Sequence, residues 1–332
     1  MAFNYKDPIN IEAVNNTAVL YGDVLKGIDK LKTASLLANL MVMPDIQSSL
    51  ILGKTESGTI TKKYDGQFDG DKNIGEIVPR TLNVYPVVAE ISDEPERYRR
   101  SFISRLATNM WNQAHPFELF LLQHGIDLAD EEMFYAIFVA KRSEDPNKKK
   151  ITDSFDGFFT LIDTDITTGL ISSVKENLYA NGAITRANAG DYLLEMWRTR
   201  HAVLQEADTN MWISTALGNL YDDWYRDEHD NPPFVDQSGQ MFLEGTGGKC
   251  KLVRTNAFPS TSQRVILTKR TNMYCGTDKL SDLKSMRAFV SGNPYKYTAT
   301  MKFVWGTQFE SINKREFCVN DRSGSGSGST SA

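Results

Sequence analysis

The sequence predicts an α+β fold, and three stretches predict it. From Ile51 to Ile91 residues alternate in the two-residue rhythm of strands around a turn-rich centre. From Tyr98 to Met110 apolar residues return every four positions, as on one face of a helix. From Met211 to Cys275 a short apolar run, an amphipathic helix and two further apolar runs follow one another.

Composition sets the bounds. Leaving aside the tail SGSGSGSTSA, residues 323–332, which cannot bury apolar surface and reads as a flexible linker, about 320 residues make one large or two small domains. A hydrophobic content of 41% with 24% charged residues is that of a soluble globular chain, and no window approaches the roughly 20 apolar residues of a membrane helix. The opening MAFNYKDPINIEAVNN has no basic segment leading into an apolar one, so cytoplasmic synthesis is expected. A net charge of -5 argues against binding nucleic acid through phosphate contacts; Lys148-Lys149-Lys150, in the loop SEDPNKKK, reads as a solvated turn. Cys250, Cys275 and Cys318 show no CxxC spacing and are expected to be buried reduced thiols.

The elements follow in order. Residues 1–48 hold the apolar runs AVLYGDVL and LKTASLLANLMVM; Leu36, Leu37, Leu40 and Met41 have helical spacing until Pro44. With too little apolar surface for a core of its own, this segment is expected to lie as an arm on another surface. Thr59–Tyr64 gives way to the turn formers Asp65-Gly66, Asp69-Gly70 and Lys72-Asn73, and Glu76–Val78 and Leu82–Tyr85 resume the alternation: a long hairpin with a polar tip. Two strands alone are marginally stable in water, so the hairpin needs support, from a neighbouring copy or from its own domain.

Ser92 or Asp93 is expected to cap a helix carrying Pro95, Glu94 and Glu96 in its first turn, with Tyr98, Phe102, Leu106 and Met110 on one face, ending before Pro116. A helix is expected at 130–141. Thr185 is expected to cap another, with Ala189, Leu193, Met196, Trp197 and Arg200 on one face. Met211–Ile213 reads as a buried strand, and Ser214 opens a helix placing Leu217, Leu220, Tyr221 and Trp224 together; Tyr297–Phe303 and Arg315–Val319 read as closing strands.

No catalytic constellation is visible. Gly245-Thr246-Gly247-Gly248-Lys249-Cys250 lacks the first glycine and the Ser or Thr of a Walker loop, so it reads as a turn. Asp222, Asp223, Asp227, Glu228, His229 and Asp230 are split around a helix and read as a solvated helix end rather than a cation site. His115, His124, His201 and His229 fit no HExxH pattern, and there is no GxSxG elbow.

The punctuation of Lys249–Asp282 carries a resemblance. The strand Lys251–Arg254, the corner Asn256 to Pro259, the strand Arg264–Thr268, the aromatic strand Asn272–Cys275, then Gly276-Thr277-Asp278 and Ser281-Asp282-Leu283, with Phe155-Asp156-Gly157-Phe158 earlier in the chain, resemble the major capsid proteins of tailed double-stranded DNA bacteriophages. The resemblance implies the Hong Kong 97-type capsid fold: an N-terminal arm (1–48), an extended hairpin loop (49–92), a peripheral domain with a long spine helix (93–150 and 284–322), a central α/β axial domain (151–283) and the flexible tail.

It implies a structural protein and not an enzyme, with no catalytic, cofactor or metal residues, that self-assembles as hexamers and pentamers into an icosahedral shell enclosing DNA without sequence-specific binding. A separate scaffold protein and a portal are the implied partners, with no membrane; the implied places are the virion capsid and, during assembly, the bacterial host cytoplasm. The subunit contacts it implies are Lys62, Lys63, Tyr64, Asp69 and Asp71 near the hairpin tip, with Arg97, Arg99 and Arg100 as charge partners. Some family members join a lysine of this loop to a neighbour's asparagine; Lys54, Lys62, Lys63 and Lys72 lie in it, with no acid or acceptor assignable. Within the same fold the alternative is an encapsulin-type compartment; outside it, a soluble enzyme of unknown chemistry.

Overall fold

A computed structural model describes residues 32–57, 75–94, 97, 117–236, 239–278, 287–290 and 296–322. The chain enters with α1 (Lys32–Leu37) and β1 (Met41–Met43), then forms β2 (Ser49–Ser57), β3 (Gly75–Asn83) and β4 (Tyr85–Asp93). The long helix α2 (Phe117–Val139) and the shorter α3 (Phe158–Thr167) precede β5 (Leu178–Tyr179), α4 (Ala189–Arg198), α5 (Ala202–Glu206), β6 (Thr209–Ser214) and α6 (Thr215–His229). The rest is strand: β7 (Met241–Phe242), β8 (Cys250–Thr255), β9 (Ile266–Lys269), β10 (Met273–Gly276), β11 (Arg287–Val290), β12 (Tyr297–Phe309) and β13 (Phe317–Asn320).

Among the described residues three sheets result. One has six strands in the order β5-β13-β9-β6-β8-β7, and a second joins β1, β10, β12 and β11 with β4 also on β12; the third is β2 paired with β3 alone. All six residues of β6 are buried, because the six-stranded sheet is covered on both faces. Trp212 faces one core with Phe138, Phe158 and Ile266, whereas Met211 and Ile213 face a second with α4 and α6. A strand buried on both sides reads as a continuous apolar run, which is why Met211-Trp212-Ile213 shows no alternation. Ser214 ends the strand and caps α6: its hydroxyl accepts from the Leu217 amide at 3.1 Å. β6, α6 and the parallel β8 thereby form one strand–helix–strand crossover.

Phe155–Phe158 acts as a clamp. Gly157 N–H donates to the Ala140 carbonyl at 2.8 Å, the Asp156 carboxylate accepts from the Arg142 amide at 2.9 Å, and the Asp156 carbonyl accepts from Thr307 at 2.5 Å. Any side chain at 157 would meet the Phe138 carbonyl oxygen at 2.6 Å, so glycine is what lets α3 start this close to α2. Phe138 then sits 4.7 Å from Phe258, 5.5 Å from Phe158 and 5.6 Å from Trp212 between ring centroids, tilted and edge-on contacts each adding about 0.5–1.5 kcal/mol beyond area burial.

The structure differs from the sequence expectations in several places. Met41 lies in a strand, so the first helix is shorter than its apolar spacing. Residues 32–48, expected to lie as an arm on another surface, dock on the chain's own body: Leu36 and Leu40 join the main core, Thr33 bonds Asp130, and β1 pairs in parallel with β10. The hairpin strands are 49–57 and 75–83; Thr59–Tyr64 and the tip lie outside the described residues. Leu82–Tyr85 is not one strand, since Val84 divides β3 from β4 and the two enter different sheets.

Ser92 and Asp93 close β4, and Asp93 accepts from the Glu94 amide at 2.7 Å; the helix they were expected to cap, over Tyr98–Met110, lies outside the described residues, as does Ser281-Asp282-Leu283. The helix expected at 130–141 begins at Phe117. In α4 the cap is Asn188, whose side chain accepts from the Thr185 amide at 2.7 Å, and Arg200 falls beyond the helix, over the ring of Tyr179. β10, within 151–283, joins the sheet of β12, and β13, within 284–322, joins the six-stranded sheet, so the chain crosses between the sheets on either side of residue 283.

Candidate functional site

The β2–β3 ribbon is the feature whose sequence demanded outside support, and its base is built onto the body by three devices. The first is apolar: Leu52, Leu82, Val84 and Ile46 form a small buried cluster with Tyr274 and Val304 against it. Leu50 pairs with Leu82 and Leu52 with Arg80 across the ribbon, so these residues share one face. The second device is close approach. A side chain at Gly306 would meet the Asn83 carbonyl oxygen at 2.0 Å, and one at Gly276 would meet Val84 at 2.8 Å, so β10 and β12 carry glycine where the ribbon crosses them.

The third device is polar. Arg80 ion-pairs with Asp165 of α3 at 2.7 Å, with side chains only 10% and 9% exposed, and also donates to the Gln308 side-chain oxygen at 2.9 and 3.2 Å. Gln308 returns a bond to the Thr81 carbonyl at 2.9 Å. Farther along β2, Lys54 pairs with Glu316 at 3.2 Å and Glu310 at 3.4 Å. Burial disfavours its charge, but the two carboxylates outweigh that and hold its pKa above the ordinary lysine value.

The opposite face of the ribbon is open. Ile51 is 71% exposed, and its neighbours Gly53 and Thr81 are exposed as well. Neither strand pairs with a further strand among the described residues, which leaves two outer edges. Such an arrangement offers binding surface, not bond-making chemistry.

Of the expected contact residues, Lys62, Lys63, Tyr64, Asp69, Asp71, Arg99 and Arg100 lie outside the described residues. Arg97 is exposed and reaches Asp93 at 3.4 Å and Glu94 at 3.8 Å. The Arg80–Asp165–Gln308 anchor was missed. Its signal was present: Arg80 shares strand parity with Leu82, so an arginine stood where the pattern placed a buried side chain.

The motifs set aside as non-catalytic have structural roles. Gly245, Gly247 and Gly248 all have positive φ (79°, 61° and 76°) in the turn between β7 and β8, and Thr246 caps that turn by donating to the Leu243 carbonyl at 2.6 Å. Asp222 is held by both terminal nitrogens of Arg254, and Asp227 by Arg186 at 2.8 Å; no metal-binding group of three or more acidic, His or Cys side chains occurs among the described residues. Cys250, Cys275 and Cys318 are fully buried and unpaired, and burial pushes Cys250 and Cys318 up to about 12.

No family model matches the sequence, and no curated protein is similar to it. Solved structures are. The capsid of cyanophage A-1(L) superposes with a TM-score of 0.54 at 12% identity, covering 86% of this chain and 92% of that one. The procapsid of satellite phage P4, which includes its size determination protein, gives 0.53 at 12% identity over 91% and 97%. This chain has a phage capsid fold. The same fold extends to the SrpI encapsulin of Synechococcus elongatus, with a TM-score of 0.50 at 12% identity over 88% of both chains. The described residues contain no helix long and apolar enough to cross a membrane.

Proposed function

We propose that this chain is a shell-forming structural protein, the major capsid protein of a tailed double-stranded DNA phage, assembled as hexamers and pentamers into an icosahedral shell. The observation that carries the reading is the capsid fold together with a two-stranded ribbon that is anchored at its base and open on its outer face. In this reading the shell is held by many modest contacts per subunit rather than by one strong site. The ribbon, with Lys62, Lys63, Tyr64, Asp69 and Asp71, reaches a neighbouring copy, whose Arg97, Arg99 and Arg100 answer the acidic pair. In this reading residues 1–48 are the N-terminal arm, residues 151–283 surround the capsomer axis, a scaffold protein and a portal direct assembly in the host cytoplasm, and the shell encloses DNA without reading its sequence.

A second reading, an encapsulin-type compartment, is favoured by the likeness to the SrpI encapsulin. Electron microscopy of the purified protein tests the shell itself, and nuclease-resistant DNA inside particles from a natural source, or portal and terminase genes beside this one, separates phage from compartment. Lys62→Glu with Lys63→Glu is expected to lower the yield of closed shells at least tenfold while the subunit keeps its circular dichroism; assembly at the wild-type level counts against the ribbon tip.

A further inference from the structure

β5 and β7 are the two lateral margins of the six-stranded sheet, separated by five strand spacings, or about 24 Å. Each margin carries exposed apolar side chains in a locally fixed segment. At the β7 margin Phe234 is 65% exposed and Val235 45%, while Val235 bridges to Met241 and the Asp236 amide donates to Gln240 at 2.9 Å. At the β5 margin Val174 is 94% exposed and Leu170 43%. There the Asn177 side chain donates to the carbonyls of Leu170 and Ile312 at 3.0 and 2.8 Å, and the Ser172 hydroxyl accepts from the Lys175 amide at 3.4 Å. Both segments are already ordered, so little conformational entropy is lost on contact.

Their charges are opposite. Beside Phe234 the C-terminus of α6 carries exposed Glu228 and Asp230, to which the negative end of the helix dipole adds. Beside Val174 stand exposed Lys175 and half-buried Lys314, the latter bonded to exposed Glu176 at 2.8 Å, so that two cations and one anion leave this margin net positive. Two different, complementary patches at opposite ends of one rigid sheet make a head-to-tail contact, which closes into a ring when the rotation per copy allows.

We propose that the two margins bind each other between copies of this chain, Phe234 and Val235 of one seating against Leu170 and Val174 of the next, with Glu228 and Asp230 facing Lys175 and Lys314. This inference rests on the shell reading and specifies the contact that makes its rings.

The test uses the full chain, with native mass spectrometry for rings and electron microscopy for shells. Phe234→Asp and Val174→Asp should each cut ring and shell yield at least tenfold; Val174 is so exposed that its variant cannot fail through the core. Lys175→Glu should weaken assembly, and adding Glu228→Lys and Asp230→Lys should restore it. A Phe234→Cys, Val174→Cys double variant should give, on oxidation, a ladder of covalent oligomers ending at the ring size, with neither single variant doing so, the native thiols being buried. If the wild type forms shells and both aspartate variants do so equally well, or no ladder appears in assembled particles, the edge contact is wrong and the shell reading stands. If the wild type, with its assembly helpers, forms neither ring nor shell, both fall.

Discussion

The six-stranded sheet and the β2–β3 ribbon solve the same problem in opposite ways. Both are strands needing a surface to cover them. In the sheet, cover comes from helices on both faces, and β6 buries every residue. The ribbon is covered on one face at its base, by four buried aliphatic side chains, two glycine crossings and an arginine–carboxylate pair, and its other face presents Ile51 to solvent. The difference shows where stability ends and interaction begins: both faces of the sheet are covered within one chain, whereas the ribbon is finished only to the point of being held in place.

The comparison breaks most sharply at the anchor. Replacing Arg80 with Met leaves the Asp165 carboxylate buried without its partner, which should cost about 3–5 kcal/mol in urea unfolding and expose the amides of 78–83 to hydrogen exchange. Adding Asp165→Leu should recover much of the loss. Next, Gly306→Ala places a methyl group against the Asn83 carbonyl and should cost about 1–3 kcal/mol, with faster exchange at the ribbon base before the sheet. Unchanged exchange there would mean that the crossing is looser than its geometry.

Alkaline pH separates the two regions by titration. Burial raises all three thiols, Cys250 and Cys318 to about 12. Above the ordinary thiol pKa of about 8.5 the unfolded chain releases protons that the folded one keeps, so stability falls as pH rises, by up to about 1.4 kcal/mol per unit for each thiol. Lys54, also raised, has the same sign, but its contribution persists until pH exceeds the ordinary lysine value of about 10.4. Urea midpoints should therefore decline from about pH 9, before Lys54 begins to lose its proton. The smallest effect is expected at Ile51→Thr, within about 0.5 kcal/mol of wild type by the same measurement because the side chain faces solvent. A larger cost would mean that this face is covered within the chain.

How much was legible follows the same division. Strand β6, the Ser214 cap, the faces of α4 and α6 and the strands β8 to β10 were readable because local periodicity and burial agree there. Phe155–Phe158 was readable as a motif, but its role as a clamp between α2, α3 and β12 was not, since its partners lie 14 to 151 residues away in sequence. Arg80 was overlooked because a charged residue in a strand reads as solvent-facing until a carboxylate from another element is placed beside it. Residues 32–48 were assigned to a foreign surface because their own docking site is assembled from Asp130 and β10, far along the chain.

By itself the sequence determined the α+β class, the order of ribbon and strand–helix–strand layer, the buried thiols and the lack of a recognisable catalytic motif. All of these depend on residue type and spacing over a few turns or strands. Only the tertiary structure decided that Val84 divides two sheets, that β10 and β13 each cross to the other sheet, and that glycines at 276 and 306 admit the ribbon. Those outcomes depend on which distant surfaces meet, and local periodicity says what a face needs without saying which partner supplies it.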